Sequence, residues 1–212
     1  MRAGRVVVTP PWCVDAARRG ASPDEIVIVI VPSTGFGTGH HASTRLCLEL
    51  LQAIPVRGRT ALDIGTGSGV LAIAAARLGA LSVTAVDTDP DAIAAARENV
   101  ALNGADAGVR LECTDFRSLE VPHADIVVAN LTGELLRRAA TDVASRAGAG
   151  GDIIVSGVLR SDDAAVVAAF EVAGATVCAR KAEDEWLGLH FRRQRIGTWD
   201  EASAGFRRRD DG

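Results

Sequence analysis

From position 60 onward, short apolar runs alternate with longer alanine-rich stretches whose apolar positions recur at helical spacing. Strands are expected at 60–64, 82–87, 109–113, 126–130 and 152–156, with helices at about 69–78, 90–103, 134–146 and 161–173. Pro90 suits a first helical turn and Asn103-Gly104 a helix stop. Two further strands, at 175–180 and 186–193, are separated by little more than the acidic turn AlaGluAspGlu. So short a gap holds no crossover helix, so this last pair is expected to be an antiparallel hairpin at the sheet edge. Ahead of the core, 6–8 and 26–31 read as short strands and 42–53 as a helix.

This rhythm is that of a parallel sheet covered by helices. The expected fold is α/β, Rossmann-like: a mostly parallel seven-stranded sheet with an antiparallel edge strand, the outline of the class I methyltransferase fold. We divide the chain into an amino-terminal segment with a glycine-rich lid (1–41), a core domain (42–195) and a tail (196–212). The tail mixes charge, glycine and isolated aromatics without a period, so it is expected to be disordered.

A length of 212 residues with 48% hydrophobic content suits one domain with a real core. A net charge of -4 offers no general attraction to nucleic acid or to acidic membranes. The arginines at 192, 193, 195 and 207–209 read as a solvated face. No apolar run reaches membrane-spanning length, and the amino terminus lacks the apolar core of a secretory signal. Cys13, Cys47, Cys113 and Cys178 form no CxxC pair, which points to reduced thiols and a cytoplasmic location.

The candidate chemistry begins at LeuAspIleGlyThrGlySerGly, 62–69, a glycine turn leaving a strand and opening a helix. A dinucleotide fingerprint survives in the register starting at Gly67, where Ala72 takes the third place. The GxGxG of Gly65, Gly67 and Gly69 with Asp63 before it fits S-adenosylmethionine better. Asp87 ends the second strand about twenty residues later, where a carboxylate accepts from ribose hydroxyls. Asp115 follows the third strand and is placed to accept from an adenine amino group, or to cap a turn. Asn130 ends the fourth strand, on the side where an open parallel sheet meets its ligand, and Leu131 follows it.

Together these stretches resemble the PrmA-type methyltransferases, which methylate amino groups of the eleventh protein of the large ribosomal subunit. The resemblance lies in PheGlyThrGlyHisHisAlaSerThrArgLeuCysLeu at 36–48, the glycine turn through 75, AlaValAspThrAspProAspAlaIle at 85–93, ValValAlaAsnLeu at 127–131, ValSerGlyValLeu at 155–159 and AspGluTrp at 184–186. It implies cofactor contacts at Thr44, Gly65, Asp87 and Asn130, with Asn130 also at the reacting amine. It further implies that Phe36, Gly37, Thr38, Gly39 and His41 lie over the cofactor where the acceptor enters. The departures are mild: Val31, Pro32 and Ser33 stand where the family usually reads AspProGly, Gly35 replaces an alanine and Ser43 a threonine. Family members also carry an amino-terminal domain that docks the ribosomal protein, and this sequence starts near what would be the linker. A catalytic domain acting on a protein, without that docking domain, is the expectation.

Methyl transfer from a sulfonium needs alignment and an unprotonated acceptor, and no metal. His40 and His41 lack a carboxylate or cysteine at ligand spacing, so no metal site is expected. Gly39 is followed by His40, and the only lysine is Lys181, so a phosphate-binding P-loop is excluded. Trp12 reads either as part of the acceptor wall or as an anchor of the amino-terminal segment on the core. Two rival functions keep the cofactor: a small-molecule methyltransferase and a non-catalytic cofactor-binding subunit.

Overall fold

The computed structural model describes residues 1–32 and 41–195. Strands β1 (Arg2–Ala3), β2 (Val6–Thr9) and β3 (Ile26–Val29) form a small sheet in that order, with helix α1 (Val14–Arg19) between β2 and β3. Helix α2 (Ala42–Gln52) leads into β4 (Thr60–Ile64), α3 (Val70–Arg77), β5 (Ser82–Asp87), α4 (Pro90–Leu102) and β6 (Val109–Cys113). Then come β7 (Ala124–Asn130), α5 (Gly133–Arg146), β8 (Ala147–Leu159), α6 (Asp163–Val172), β9 (Ala175–Glu183) and β10 (Trp186–Arg193).

The main sheet has seven strands in the order β6-β5-β4-β7-β8-β10-β9. Pairs from β6 to β8 are parallel, and β10 runs antiparallel to both β8 and β9. The expected hairpin therefore makes the antiparallel edge. Its outer member is β9, because β10 inserts between β8 and β9.

The near-continuous apolar runs follow from burial on both faces. In β7, Ile126 and Val128 pack with α2 and α3, whereas Val127 and Ala129 pack with α5 and α6. Ala3, Val6, Val8, Ile28 and Ile30 join the α2 and α3 layer, so the small sheet shares the core of the large one.

Local chemistry sets the boundaries. Asp89 caps α4 by accepting from Asp91 N at 2.9 Å, with Pro90 at the first helical position. The hairpin turn is tighter than expected, because β9 runs through Ala182 and Glu183 and leaves only Asp184, at φ 50°, and Glu185. β8 begins at Ala147, which pairs with Ala124 of β7, and the glycine-rich 148–151 bulge out before the ladder resumes at Asp152. β3 stops at Val29 rather than 31 because its partner β2 ends at Thr9, ahead of Pro10 and Pro11. The short α1 buries no residue, so it carries no apolar stripe that a sequence pattern would reveal. The expected tail at 196–212 lies outside the described residues.

Candidate functional site

Parallel strands bring their carboxyl ends to one edge, and β4, β5 and β7 deliver Asp63, Asp87 and Asn130 there. After β4 the chain turns through Gly65, Gly67 and Gly69, at φ 70°, 53° and 82°. A side chain at Gly65 would be strained, and its Cβ would lie 2.6 Å from Leu131 Cδ2, so only glycine lets Leu131 close against the turn. Gly65 N and Thr66 N both donate to Val86 O at 2.9 Å, which ties the turn to β5.

Asp63 points beneath the turn rather than out of it. It is 2% exposed, and its Oδ2 accepts from Thr66 Oγ1 at 2.7 Å and from Ala72 N at 3.1 Å. Its Oδ1 is buried with no hydrogen-bond partner among the described residues. Burial pushes its carboxyl up to about 6; the Thr66 and Ala72 bonds oppose the rise and the Asp87 charge adds to it.

Asp87 is half-buried and faces the turn. Its Oδ2 accepts from Gly67 N at 3.0 Å and its Oδ1 from Asp89 N at 3.1 Å. The carboxylate thus holds the turn while keeping acceptor capacity on both oxygens.

On the other side of β4, Asn130 Nδ2 donates to Thr44 Oγ1 at 3.3 Å. Thr44 is 1% exposed in the first turn of α2, so this bond spans 86 residues and ties the Asn130 side chain to that helix. Gly157, at φ 83°, leaves the space that brings Leu131 O and Asn130 Oδ1 close to β8; any Cβ there would collide with Leu131 O. The arrangement sets the amide oxygen beside Gly157, with Leu131 against the glycine turn.

His41 is the N-cap of α2, accepting from Ser43 N at 3.2 Å, and it meets Trp186 edge-on with ring centroids 4.6 Å apart. In the sequence Trp186 stands only as the last residue of AspGluTrp; its contact with His41 exists because the hairpin brings β10 to α2. Arg45, also on α2, grips both oxygens of Glu183 on β9. The hydrogen bond from Arg45 holds the Glu183 carboxyl below its usual range, against the opposing effect of burial.

Asp115 lies beyond β6 as the cap of a short 3-10 turn and forks with Arg117, Nε to Oδ1 at 3.0 Å. Hydrogen bonds from the Arg117 side chain and backbone bring its carboxyl down to about 2. Trp12 is 74% exposed, which corrects the anchor reading: the segment is held by Val6, Val8, Ile28 and Ile30, and the indole stays outside. Phe36, Gly37, Thr38, Gly39 and His40 lie outside the described residues. Among the described residues, no group of three or more His, Cys, Asp or Glu is arranged to hold a metal, and no helix is long and apolar enough to cross a membrane.

The family model for ribosomal protein L11 methyltransferase (PrmA) matches residues 1–194. The chain belongs to the PrmA family. A PrmA-family relative, the ribosomal protein L11 methyltransferase of Geobacter sulfurreducens, is 44% identical over 194 residues, covering 91% of this chain and 62% of its own length. The protein of that name from Geotalea uraniireducens is 41% identical over 201 residues, covering 89% of this chain and 62% of its own. The chain thus spans a little over three-fifths of the length of these curated relatives. The crystal structure of a ribosomal protein L11 methylase from Lactobacillus delbrueckii subsp. bulgaricus superposes with a TM-score of 0.79 at 29% identity, covering 91% of this chain and 96% of that one. The PrmA fold is therefore the fold described here.

Proposed function

We propose that this chain transfers a methyl group from S-adenosylmethionine to an amino group of a protein, with ribosomal protein L11 the first candidate acceptor. The observation that carries the reading is the Asn130 to Thr44 hydrogen bond, which holds an amide at the carboxyl end of β7, on the edge where the neighbouring β4 opens into the glycine turn and β5 ends at Asp87. Membership of the PrmA family and the names of its relatives support the same reading.

The residues present fit the cofactor. Asp87 retains acceptor capacity on both oxygens for the two ribose hydroxyls, and the Gly65 to Gly69 turn gives close backbone approach. Asn130 and Thr44 would meet the methionine end, Asp115 the adenine side, and Asp63 would hold the turn from beneath. Phe36 to Gly39, His41, Leu131 and Trp12 are assigned to the acceptor side.

When bound, the sulfonium supplies an electrophilic methyl carbon. With the Asn130 side chain held at Thr44, its amide oxygen would accept an amine N–H and thereby aim the nitrogen lone pair. A lysine amine, with a reference pKa of about 10.4, reacts only when neutral, and desolvation among Leu131 and Trp186 favours that form. Glu183 is a weak base because Arg45 grips it, so the proton leaves to solvent before transfer. We assign residues 42–195 to the methyltransferase domain, 1–41 to its amino-terminal segment and 196–212 to a tail, in a cytoplasmic protein.

The test is incubation with methyl-labelled S-adenosylmethionine and either purified ribosomal protein L11 or cell lysate. Label in the ribosomal protein, lost in Asn130→Ala, is the expected result. Label confined to small molecules would overturn the acceptor class. Cofactor binding without any label would favour a non-catalytic subunit, and calorimetric binding of NAD alone would overturn the cofactor.

A further inference from the structure

Among the described residues, strand β3 pairs with β2 along one edge, and its other edge meets side chains of α4. Val29 N donates to Asn103 Oδ1 at 2.8 Å, and Asn103 Nδ2 returns a bond to Val29 O at 2.7 Å, so one amide completes the backbone pairing of that residue. One helical turn earlier, Asn99 Oδ1 accepts from Val31 N at 2.9 Å. The Asn99 amide has a second engagement: its Nδ2 donates to Ser68 O at 2.9 Å, between Gly67 and Gly69. Asn99 is fully buried and Asn103 is 9% exposed.

Buried amides are a costly way to pack a helix, since an unpaired one costs about 1–3 kcal/mol whereas an apolar side chain packs without that risk. What these two supply is directional bonding to segments 68 and 74 residues away in sequence. Asn103 Nδ2 also donates to Asn99 O at 2.7 Å, joining the pair within α4. The connected path runs from β3 through Asn103 and Asn99 to Ser68, and from the adjoining Gly67 N to Asp87.

We infer that Asn99 and Asn103 are positioning residues through which the amino-terminal strand sets the glycine turn, so that cofactor binding and docking of residues 26–31 stabilise each other. The inference rests on the reading that this turn binds S-adenosylmethionine. Neither asparagine touches the reacting groups. Their effect is on the turn's geometry, and by linkage each event raises the other by the same factor.

Asn103→Ala is the decisive variant, because Asn103 bonds β3 and its own helix but not the turn. Its dissociation constant for S-adenosylhomocysteine, measured by calorimetry well below the melting temperature, should rise about tenfold, within the range of ordinary site-to-site coupling. KM for S-adenosylmethionine should rise by a similar factor with kcat unchanged. A folded variant with lower melting temperature and unaltered dissociation constant would overturn the relay and leave a purely structural pair.

The wild-type chain offers an arm that no folding failure can spoil. Saturating S-adenosylhomocysteine should slow amide hydrogen exchange at Val29 and Val31 as well as at Gly67; protection of Gly67 alone would overturn the inference. If the wild type shows no binding at all, the proposed cofactor fails. The relay is then judged by exchange at Gly67 and Gly69 in Asn103→Ala, expected to be faster and overturned if unchanged.

Discussion

Two aspartates, each almost wholly buried on a central strand, sit at opposite ends of the same sheet and are treated oppositely. Asp152, towards the amino end of β8, accepts from His190 Nε2 at 2.7 Å and from Arg192 Nη2 at 2.8 Å. Arg59 Nη1 lies 2.7 Å from its other oxygen, an ion contact outside hydrogen-bond direction. Burial alone would raise this carboxyl, and His190, Arg59 and Arg192 outweigh it and hold it at about 2. Asp63, at the carboxyl end of β4, has only a hydroxyl and a backbone amide, and burial leaves it near 6. The difference separates a charge compensated for the fold from polar groups kept only partly satisfied beside a binding edge.

The largest expected effect is at the compensated end. Asp152→Ala strands three cationic or polar partners and should cost about 3–5 kcal/mol of stability by urea unfolding, with cofactor affinity unchanged in the folded fraction. In the wild type, this carboxyl is lowered below its unfolded value of about 3.9, so its contribution is full above pH 4 and is lost as pH falls towards 2. Acid unfolding should therefore steepen below pH 4, and that steepening should vanish in Asp152→Asn.

At the carboxyl end, Asp87→Ala removes the bond to Gly67 N and, on the proposed function, the acceptor for two ribose hydroxyls. Calorimetry with S-adenosylhomocysteine should show affinity weakened at least about 100-fold, at about 1.5 kcal/mol or more for each charge-assisted bond. On the proposed role of Asn130 in orienting the acceptor, Asn130→Ala should leave that affinity within a few-fold and lower kcat by about 100-fold in the label-transfer assay.

Asp63 reverses the pH sense of Asp152. Its folded value is raised, so between about pH 4 and 6 the unfolded chain releases the proton first and stability declines as pH rises. Unfolding free energies measured across that window should fall by on the order of 2 kcal/mol in the wild type, and Asp63→Asn should flatten the decline. The smallest effect is expected at Trp12→Ala, within about 0.5 kcal/mol by thermal unfolding, because the exposed indole buries little. A larger loss would show that Trp12 anchors the segment after all.

Legibility differed between elements for physical reasons. The strands β4, β5 and β6 match their expected bounds residue for residue: β4 and β5 are largely apolar runs ended by turn residues, and β6, at the sheet edge with only Val109 buried, alternates apolar and charged positions. The hairpin was legible from its short acidic gap. Helix α1 was not, for it buries nothing, and β8 was read short because glycine carries no propensity signal for strand. Within the site, the glycine turn, Asp87 and Asn130 were marked by their places at strand ends. The burial of Asp63 beneath the turn, the contact of His41 with Trp186 and the bond of Asn99 to Val31 depend on what the fold packs around them and have no local signature.

By itself, then, the order of residues determined the elements, their α/β rhythm, the glycine turn and the family, all of which are written in local periodicity and short motifs. Only the tertiary structure decided which acid faces the turn and which lies beneath it, that the Asn130 amide is held by Thr44, and that the amino-terminal strand reaches the turn through two buried asparagines. Those choices rest on directional hydrogen bonds and on desolvation, both of which depend on what the fold brings alongside each side chain.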